Sequence, residues 1–290
     1  MSALAAVPDP APQEPTPDPT PEPGPRPADE VITDITVVGQ RLHVAHRPGA
    51  PGRRPLVLVN GIGASLEFLQ PLVDALDPQR PVVRFDVPGI GGSPLPWAPW
   101  PMAGLAALLA GLLDELGYAR ADVLGLSWGG GVAQQFALQH PERTGRLALV
   151  STGTGACMVP ARFSVLAKML TPRRYNDRRY RHDAGAEIYV GEDQQAVDAV
   201  FSRARRVRTR GYLFQLMALM TWTSLPVLPL IGAPTLVLNG RMDPVIPVVN
   251  AHIMAALLPR ATVHLHDGGH VGILTRPHEL GPVLEDFLDS

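Results

Sequence analysis

Short apolar runs of strand type alternate with helical segments through much of this sequence, and this alternation restricts the fold more than any other feature. Helical spacing of apolar residues separates runs that are rich in β-branched residues. The runs are PLVLVN (55–60), PVVRFD (81–86), ADVLGL (121–126) and RLALVS (146–151). Strands that are connected through helices lie parallel and are covered on both faces. The pattern therefore predicts an α/β fold with a mostly parallel central sheet.

The alternation changes on both sides of this region. VITDITVVGQRLHVAHR (31–47) predicts a hairpin that turns at Gly39-Gln40. After Ser151 the rhythm stops, and helical and irregular segments follow until strand-like sequence returns at residue 234. We therefore expect a core made of 31–151 and 232–290, with 152–231 inserted between two strands as a mainly helical lid.

The first 30 residues differ from the rest in composition. Proline and acidic residues dominate from Val7 to Pro27, so residues 1–30 are predicted to be a disordered arm. The formal net charge of -2 gives no indication of nucleic-acid binding. Cys157 is the single cysteine and allows no internal disulfide, and the sequence shows neither a secretory signal nor a membrane-spanning run. We expect a cytoplasmic protein.

One serine stands among glycines at a predicted strand end. Gly125-Leu126-Ser127-Trp128-Gly129 is a G-x-S-x-G motif that joins the strand 121–126 to a predicted helix over 128–139. Such a sharp turn strains the serine backbone, and the glycines leave space for the hydroxyl to stand above the sheet. The alternative is a glycine-rich helix start with a capping serine. The strand-to-helix context favours a nucleophile.

A serine nucleophile needs a histidine base and an acid that orients the histidine, and this motif predicts the chain order Ser, Asp, His. Asp243 follows the predicted strand PTLVLN (234–239), and His270 follows ATVHLH (261–266). Both therefore fall at the same edge of the sheet as Ser127.

Two further acids and two histidines have other interpretations. Asp267 is the rival acid, but we expect it to shape its loop through side-chain to backbone hydrogen bonds, and we expect Asp86 to order an earlier loop. His264 and His266 lie on one strand face and could hold a metal in principle. Without a cluster of carboxylates or cysteines nearby, packing is the favoured role.

An acyl-transfer site also needs two donors for the oxyanion of the tetrahedral intermediate. Asn60-Gly61-Ile62-Gly63 follows a predicted strand, so the main-chain N–H of Ile62 is one candidate, and that of Trp128 is the other. A phosphate loop is the competing interpretation of this glycine-rich turn, but neither G-K-[ST] nor G-x-G-x-x-G occurs there. No cofactor or metal is expected.

These residues carry a family resemblance. The chain resembles the α/β-hydrolase superfamily, and within it the intracellular depolymerases of medium-chain-length poly(3-hydroxyalkanoate). The shared segments are NGIGASLEF, FDVPGIGGS, GLSWGGGVAQQFA, MVP, PRRY, GYLFQL, WTS, PTLVLNG, DPVIP and GGHVGILTR. The resemblance implies hydrolysis of polyester bonds by a triad of Ser127, Asp243 and His270. The expected partners are a polyester or another apolar ester and a storage-granule surface.

An apolar polyester needs an apolar entrance, and the predicted lid offers a set of suitable side chains. They are Leu213, Phe214, Leu216, Met217, Leu219, Met220 and Trp222. Their helical spacing is equally typical of a buried helix face, and the arginine run at 203–210 indicates a solvated face.

The alternatives with the same residues are a small-ester or lactone hydrolase, a cofactor-free haloperoxidase, and a binding protein without catalysis.

Overall fold

The computed structural model describes residues 30–290, so the predicted arm lies outside the described residues apart from Glu30. The carboxylate of Glu30 pairs with the buried guanidinium of Arg84. Among the described residues, no helix is both long enough and apolar enough to cross a membrane.

Eight strands form one sheet in the order β1-β2-β4-β3-β5-β6-β7-β8. The strands are β1 (Val31–Val37), β2 (Gln40–Arg47), β3 (Leu56–Val59), β4 (Val82–Phe85), β5 (Ala121–Leu126), β6 (Thr144–Val150), β7 (Thr235–Gly240) and β8 (Ala261–His266). Strands β1 and β2 pair antiparallel, as do β2 and β4, whereas all the other neighbours pair parallel. The predicted α/β fold with a mostly parallel sheet is confirmed.

Helices cover both faces of the sheet. The helices are α1 (Gln70–Ala75), α2 (Met102–Glu115), α3 (Trp128–Gln139), α4 (Phe163–Met169), α5 (Arg173–Asn176), α6 (Arg178–Ile188), α7 (Gln194–Arg203), α8 (Thr209–Met220), α9 (Val249–Leu257), α10 (Gly272–Thr275) and α11 (Pro277–Asp289). Apolar residues of α2, α3 and α9 pack in one core cluster, and those of α1 and α11 in the other. Because both faces are covered, every residue of β3, β4 and β5 is buried.

Two predicted elements differ in detail. The hairpin turns at Val38-Gly39 rather than at Gly39-Gln40, because the φ angles of Val38 and Gly39 are both positive, at 49° and 76°, as a two-residue hairpin turn requires. Gln40 already belongs to β2. The helical spacing between the runs 55–60 and 81–86 predicts a helix, and over 66–76 the structure forms a 3₁₀ turn, Leu66–Leu69, before α1 with its early Pro71.

The segment between β6 and β7 is helical, with α4 to α8 and a 3₁₀ helix at Leu225–Leu230. A bridge between Gly155 and Thr223 joins its two ends. The Ser224 hydroxyl donates to Gln134 Oε1 of α3 at 2.6 Å, which ties the segment to the core. Within 203–210 every arginine is exposed, which confirms the predicted solvated face.

Candidate active site

Four loops that follow parallel strands meet at one edge of the sheet. Ser127 follows β5, Asp243 follows β7, His270 follows β8, and Ile62 follows β3. Because these strands run parallel in one sheet, with β6 between β5 and β7, their carboxyl ends lie at the same edge, and a site forms where the four loops converge.

A continuous hydrogen-bond chain links the three residues that the sequence singled out. His270 Nε2 lies 3.0 Å from Ser127 Oγ, and His270 Nδ1 lies 2.8 Å from Asp243 Oδ2. The other carboxylate oxygen, Asp243 Oδ1, accepts the main-chain N–H groups of Val245 at 2.8 Å and Ile246 at 2.9 Å. Those two donors hold the carboxylate in one orientation, with Oδ2 facing the imidazole. The arrangement can move a proton from the serine hydroxyl to the histidine.

Ser127 occupies a strained backbone conformation at the start of α3, with φ 53° and ψ -117°. Few residues other than glycine adopt a positive φ, and such strain is typical of functional sites. Space around the turn is tight: a Cβ atom at Gly129 would lie 2.2 Å from the main-chain oxygen of Val59. At Gly130 it would lie 2.3 Å from Thr152 Oγ1. These contacts explain the glycines that surround the serine.

The predicted oxyanion donors lie beside the serine. A Cβ atom at Gly61 would be 3.6 Å from Ser127 Cβ, so the loop after β3 packs directly on the turn that contains Ser127. In the described part of the chain, neither the Ile62 nor the Trp128 main-chain N–H has a hydrogen-bond partner. Both N–H groups are therefore free to donate to another group.

Ser127 and Ile62 line two cavities. The larger, of about 140 Å³, is enclosed mainly by apolar residues of the inserted segment and the core. They include Met158, Leu166, Met169, Leu170, Leu216, Leu219, Met220, Val245 and Ile246. The smaller cavity, of about 20 Å³, also contacts His270, Arg174 and Tyr189. Ser127 thus borders open space on two sides, and the larger space lies on the side of the apolar wall.

Comparison with known proteins agrees with this geometry. The sequence profile of the alpha/beta hydrolase fold family matches residues 54–277, which is most of the chain. The chain belongs to the α/β-hydrolase family. It is 41% identical over 263 residues to a poly(3-hydroxyalkanoate) depolymerase from Ectopseudomonas oleovorans, with 90% of this chain and 93% of the relative covered.

Two further matches are more distant. A putative carbamate hydrolase RutD from Pseudomonas savastanoi pv. phaseolicola is 31% identical over 256 residues, which cover 86% of this chain and 98% of the relative. The crystal structure of the enol-lactonase from Burkholderia xenovorans LB400 matches with a TM-score of 0.77 and 23% identity, over 89% of this chain and all of that chain, and shows the fold alone. The family resemblance inferred from the sequence is confirmed. Together the matches support a carboxylic ester hydrolase.

Two other acids of this α/β-hydrolase, Asp86 and Asp267, were predicted to order loops, and the structure agrees for only one of them. Asp86 orders its loop as expected, because its carboxylate accepts the main-chain N–H groups of Leu66 and Gly92, each at 2.7 Å. Burial raises the pKa of Asp86 to about 6. The role expected for Asp267 is wrong: its side chain is 88% exposed and pairs with Arg241 at 3.2 Å.

The two histidines of β8 lie outside the hydrogen-bond chain. His266 is buried, and burial lowers its pKa. A Cβ atom at Gly272 would lie 2.1 Å from the His266 ring, so this imidazole packs against the main chain of α10. His264 is half-buried. These positions agree with the packing role that the sequence favoured.

Sequence reasoning missed a set of inserted residues that contact the site loops. Glu192, between α6 and α7, has a side chain with no exposed surface, and its Oε1 accepts the Gly269 N–H at 2.6 Å, next to His270. Arg174, Tyr175 and Gln215 contact the loop that contains Ile62. Arg174 and Tyr175 come from PRRY and Gln215 from GYLFQL, two segments of the family resemblance. Those motifs were a signal for these three residues, whereas Glu192 had none.

Proposed function

We propose that this chain is a serine hydrolase that cleaves the ester bonds of medium-chain-length poly(3-hydroxyalkanoate) through a triad of Ser127, His270 and Asp243. The observation that carries the proposal is the hydrogen-bond chain Asp243–His270–Ser127, which ends at an apolar cavity. The 41% identity to a poly(3-hydroxyalkanoate) depolymerase supports the choice of substrate.

The reaction is acyl transfer in two steps. His270 Nε2 takes the proton of Ser127 Oγ as that oxygen attacks the ester carbonyl, and the Asp243 carboxylate stabilises the resulting imidazolium. The N–H groups of Ile62 and Trp128 bind the oxyanion. His270 then gives its proton to the departing alkoxide oxygen, which leaves an acyl-enzyme. Water attacks the acyl-enzyme by the same route and releases the acid.

The larger cavity suits an alkyl side chain of the polyester. Its lining is apolar, and two of its lining residues, Leu170 and Met220, are 61% and 67% exposed. Because these apolar side chains are both exposed and part of the cavity wall, the cavity has an apolar opening. Such an opening can contact a water-insoluble substrate before the polyester chain enters the cavity.

An exposed apolar stripe on α8 supports the entrance interpretation of this helix. Leu213, Met217 and Met220 are exposed at helical spacing, whereas Tyr212 and Ala218 are buried. Phe214, Leu216, Leu219 and Trp222 are half-buried. In this proposal the exposed side of α8 forms the apolar entrance, and the buried side attaches the helix to the core.

In this proposal residues 152–231 act as the lid and residues 31–151 with 232–290 as the catalytic core. The lid separates the acyl-enzyme from bulk water and supplies the apolar wall of the cavity. The proposed substrate is stored inside cells, so we expect the protein in the cytoplasm and on the surface of polyester granules.

The test measures 3-hydroxyacid release from amorphous medium-chain polyester granules. Short-chain polyester granules and p-nitrophenyl octanoate are assayed in parallel, with Ser127→Ala as the blank. We expect release from the medium-chain granules that the serine variant abolishes. Hydrolysis of the soluble ester alone would support the triad but reject the polymer, and no hydrolysis of any substrate would favour a binding protein.

A further inference from the structure

The loop that carries the Ile62 donor is held by side chains of the inserted segment. The main-chain oxygen of Ile62 accepts a hydrogen bond from Tyr175 Oη at 2.9 Å and another from Arg174 Nη2 at 3.1 Å. Both side chains come from the short helix α5. Two donors converging on one carbonyl leave it little freedom to rotate.

The other side of the same peptide unit is held as well. The N–H of Gly63 donates to Gln215 Oε1 of α8 at 2.7 Å. Gln215 also reaches the second predicted donor residue, because its main-chain oxygen accepts the indole N–H of Trp128 at 2.8 Å. A single residue of the insert thus contacts both halves of the predicted oxyanion site.

Packing reinforces these hydrogen bonds. Gly63 has a φ of +79°, and a Cβ atom there would lie 2.9 Å from the rings of Tyr175 and Tyr212. The two tyrosine rings of the inserted segment (152–231) therefore pack directly on the main chain of Gly63. Only glycine fits this position.

Arg174 brings a positive charge to the same place. It is buried, and its Nη1 donates to the Tyr212 hydroxyl at 2.7 Å. Over residues 30–290 it makes no ion pair with a carboxylate. A buried cation without a counter-ion is costly unless hydrogen bonds or a nearby anion compensate it. An oxyanion that forms beside Ile62 would be such an anion during the reaction.

We propose that Arg174, Tyr175 and Gln215 are positioning residues that hold the Ile62–Gly63 peptide so that the Ile62 N–H points at the reacting oxygen. The peptides on both sides of the Ile62 Cα share that atom, so fixing one restricts rotation of the other. An oxyanion site stabilises the transition state only when its donors are oriented in advance. Docking of the insert therefore completes the oxyanion site in addition to covering it, an inference that rests on the proposed function.

The experiment removes one contact at a time and follows binding of a transition-state mimic. The variants are Tyr175→Phe, which deletes one donor to Ile62, and Gln215→Met, which deletes the acceptor of Gly63. Tyr180→Phe is the matched control, because its hydroxyl also donates to a main-chain carbonyl of the insert, that of Lys168 at 3.3 Å, and neither residue lines either cavity. Circular dichroism melts check the folding of each variant.

Each protein is assayed with p-nitrophenyl octanoate and with two inhibitors. An octyl trifluoromethyl ketone forms a tetrahedral adduct with the serine, whereas the matching methyl ketone stays trigonal. We expect kcat to fall about 3- to 10-fold for Tyr175→Phe and about 10- to 100-fold for Gln215→Met, less than the loss of an oxyanion donor itself. Inhibition by the trifluoromethyl ketone should weaken by the same factors. KM and methyl-ketone binding should stay unchanged, and Tyr180→Phe should behave as wild type.

Two outcomes separate this inference from the function on which it rests. A wild-type protein that hydrolyses the ester, together with variants whose trifluoromethyl-ketone inhibition is unchanged, would overturn the inference and leave the proposed function intact. The same holds if the variants change only KM or thermal stability. A wild-type protein that neither hydrolyses the ester nor binds the trifluoromethyl ketone would overturn both. If Gln215→Met does not fold, the nearly isosteric Tyr175→Phe decides the question alone.

Discussion

Replacing Asp243 by asparagine tests the proposed triad because the local hydrogen bonds dictate how the new side chain must lie. Oδ1 of Asp243 accepts two main-chain N–H groups, from Val245 and Ile246, at 2.8 and 2.9 Å. The side-chain oxygen of an asparagine would keep both bonds, so the asparagine NH₂ group would take the place of Oδ2. In the wild-type protein Oδ2 lies 2.8 Å from His270 Nδ1, so the NH₂ group would face that nitrogen.

The consequence for His270 follows from the chemistry of imidazole. A donor that faces Nδ1 stabilises the tautomer with its proton on Nε2, and this nitrogen then cannot accept the proton of Ser127. The same change in a serine protease triad lowers kcat by about 10⁴-fold. We expect a similar loss here, equivalent to about 5 kcal/mol of transition-state stabilisation. Because both bonds to the main chain survive, the melting temperature should stay close to that of wild type.

The assay is kcat/KM for p-nitrophenyl octanoate, with Asp267→Asn as the matched control. Asp267 lies three residues before His270, but its side chain is 88% exposed, so the control should retain wild-type activity. An Asp243→Asn protein that is folded and keeps more than about a tenth of the wild-type value would refute the tautomer argument. Loss of activity in the Asp267 variant would point to the rival acid.

Three further changes probe a buried acid, the histidine loop and the nucleophile turn. Burial raises the pKa of Asp86 from 3.8 to about 6, so its stabilising contribution is complete below about pH 4 and is lost as the pH rises through 6. In urea unfolding, the free energy of wild type minus that of Asp86→Asn should fall by up to about 3 kcal/mol between pH 4 and pH 7, and a constant difference would contradict this. Glu192→Ala leaves the Gly269 N–H without its acceptor, so we expect kcat to fall about 10-fold and the free energy of unfolding to fall by about 1 to 3 kcal/mol. Glu192→Gln keeps an acceptor oxygen and should recover both values. Equal effects of the two variants would exclude the hydrogen bond as the cause. Gly129→Ala would place a Cβ atom 2.2 Å from a main-chain oxygen of β3, so kcat/KM should fall at least about 10-fold and the free energy of unfolding by about 1 to 3 kcal/mol. Gly232→Ala is the control: a Cβ atom there has no atom within 4 Å, so neither quantity should change.

Much of the fold and the candidate site could be predicted because each signal is local. The helix α3 and the strand β8 have the bounds that the sequence predicted, since a strand-to-helix turn and an alternating run are written in consecutive residues. Ser127, Asp243 and His270 each follow a strand, and parallel pairing brings such positions to one edge. The hairpin turn was predicted one residue too late, because Val38 itself adopts a positive φ, which a sequence pattern does not reveal.

The sequence by itself determined that this chain builds a mostly parallel sheet and carries a serine, an aspartate and a histidine at strand ends. Only the tertiary structure decided which residues hold the loops beside those side chains. Arg174 and Gln215 reach the Ile62–Gly63 peptide across 112 and 152 residues of sequence, and Glu192 reaches Gly269 across 77. Contacts over such distances depend on how the insert packs against the core, and that packing is a property of the whole chain rather than of any short stretch.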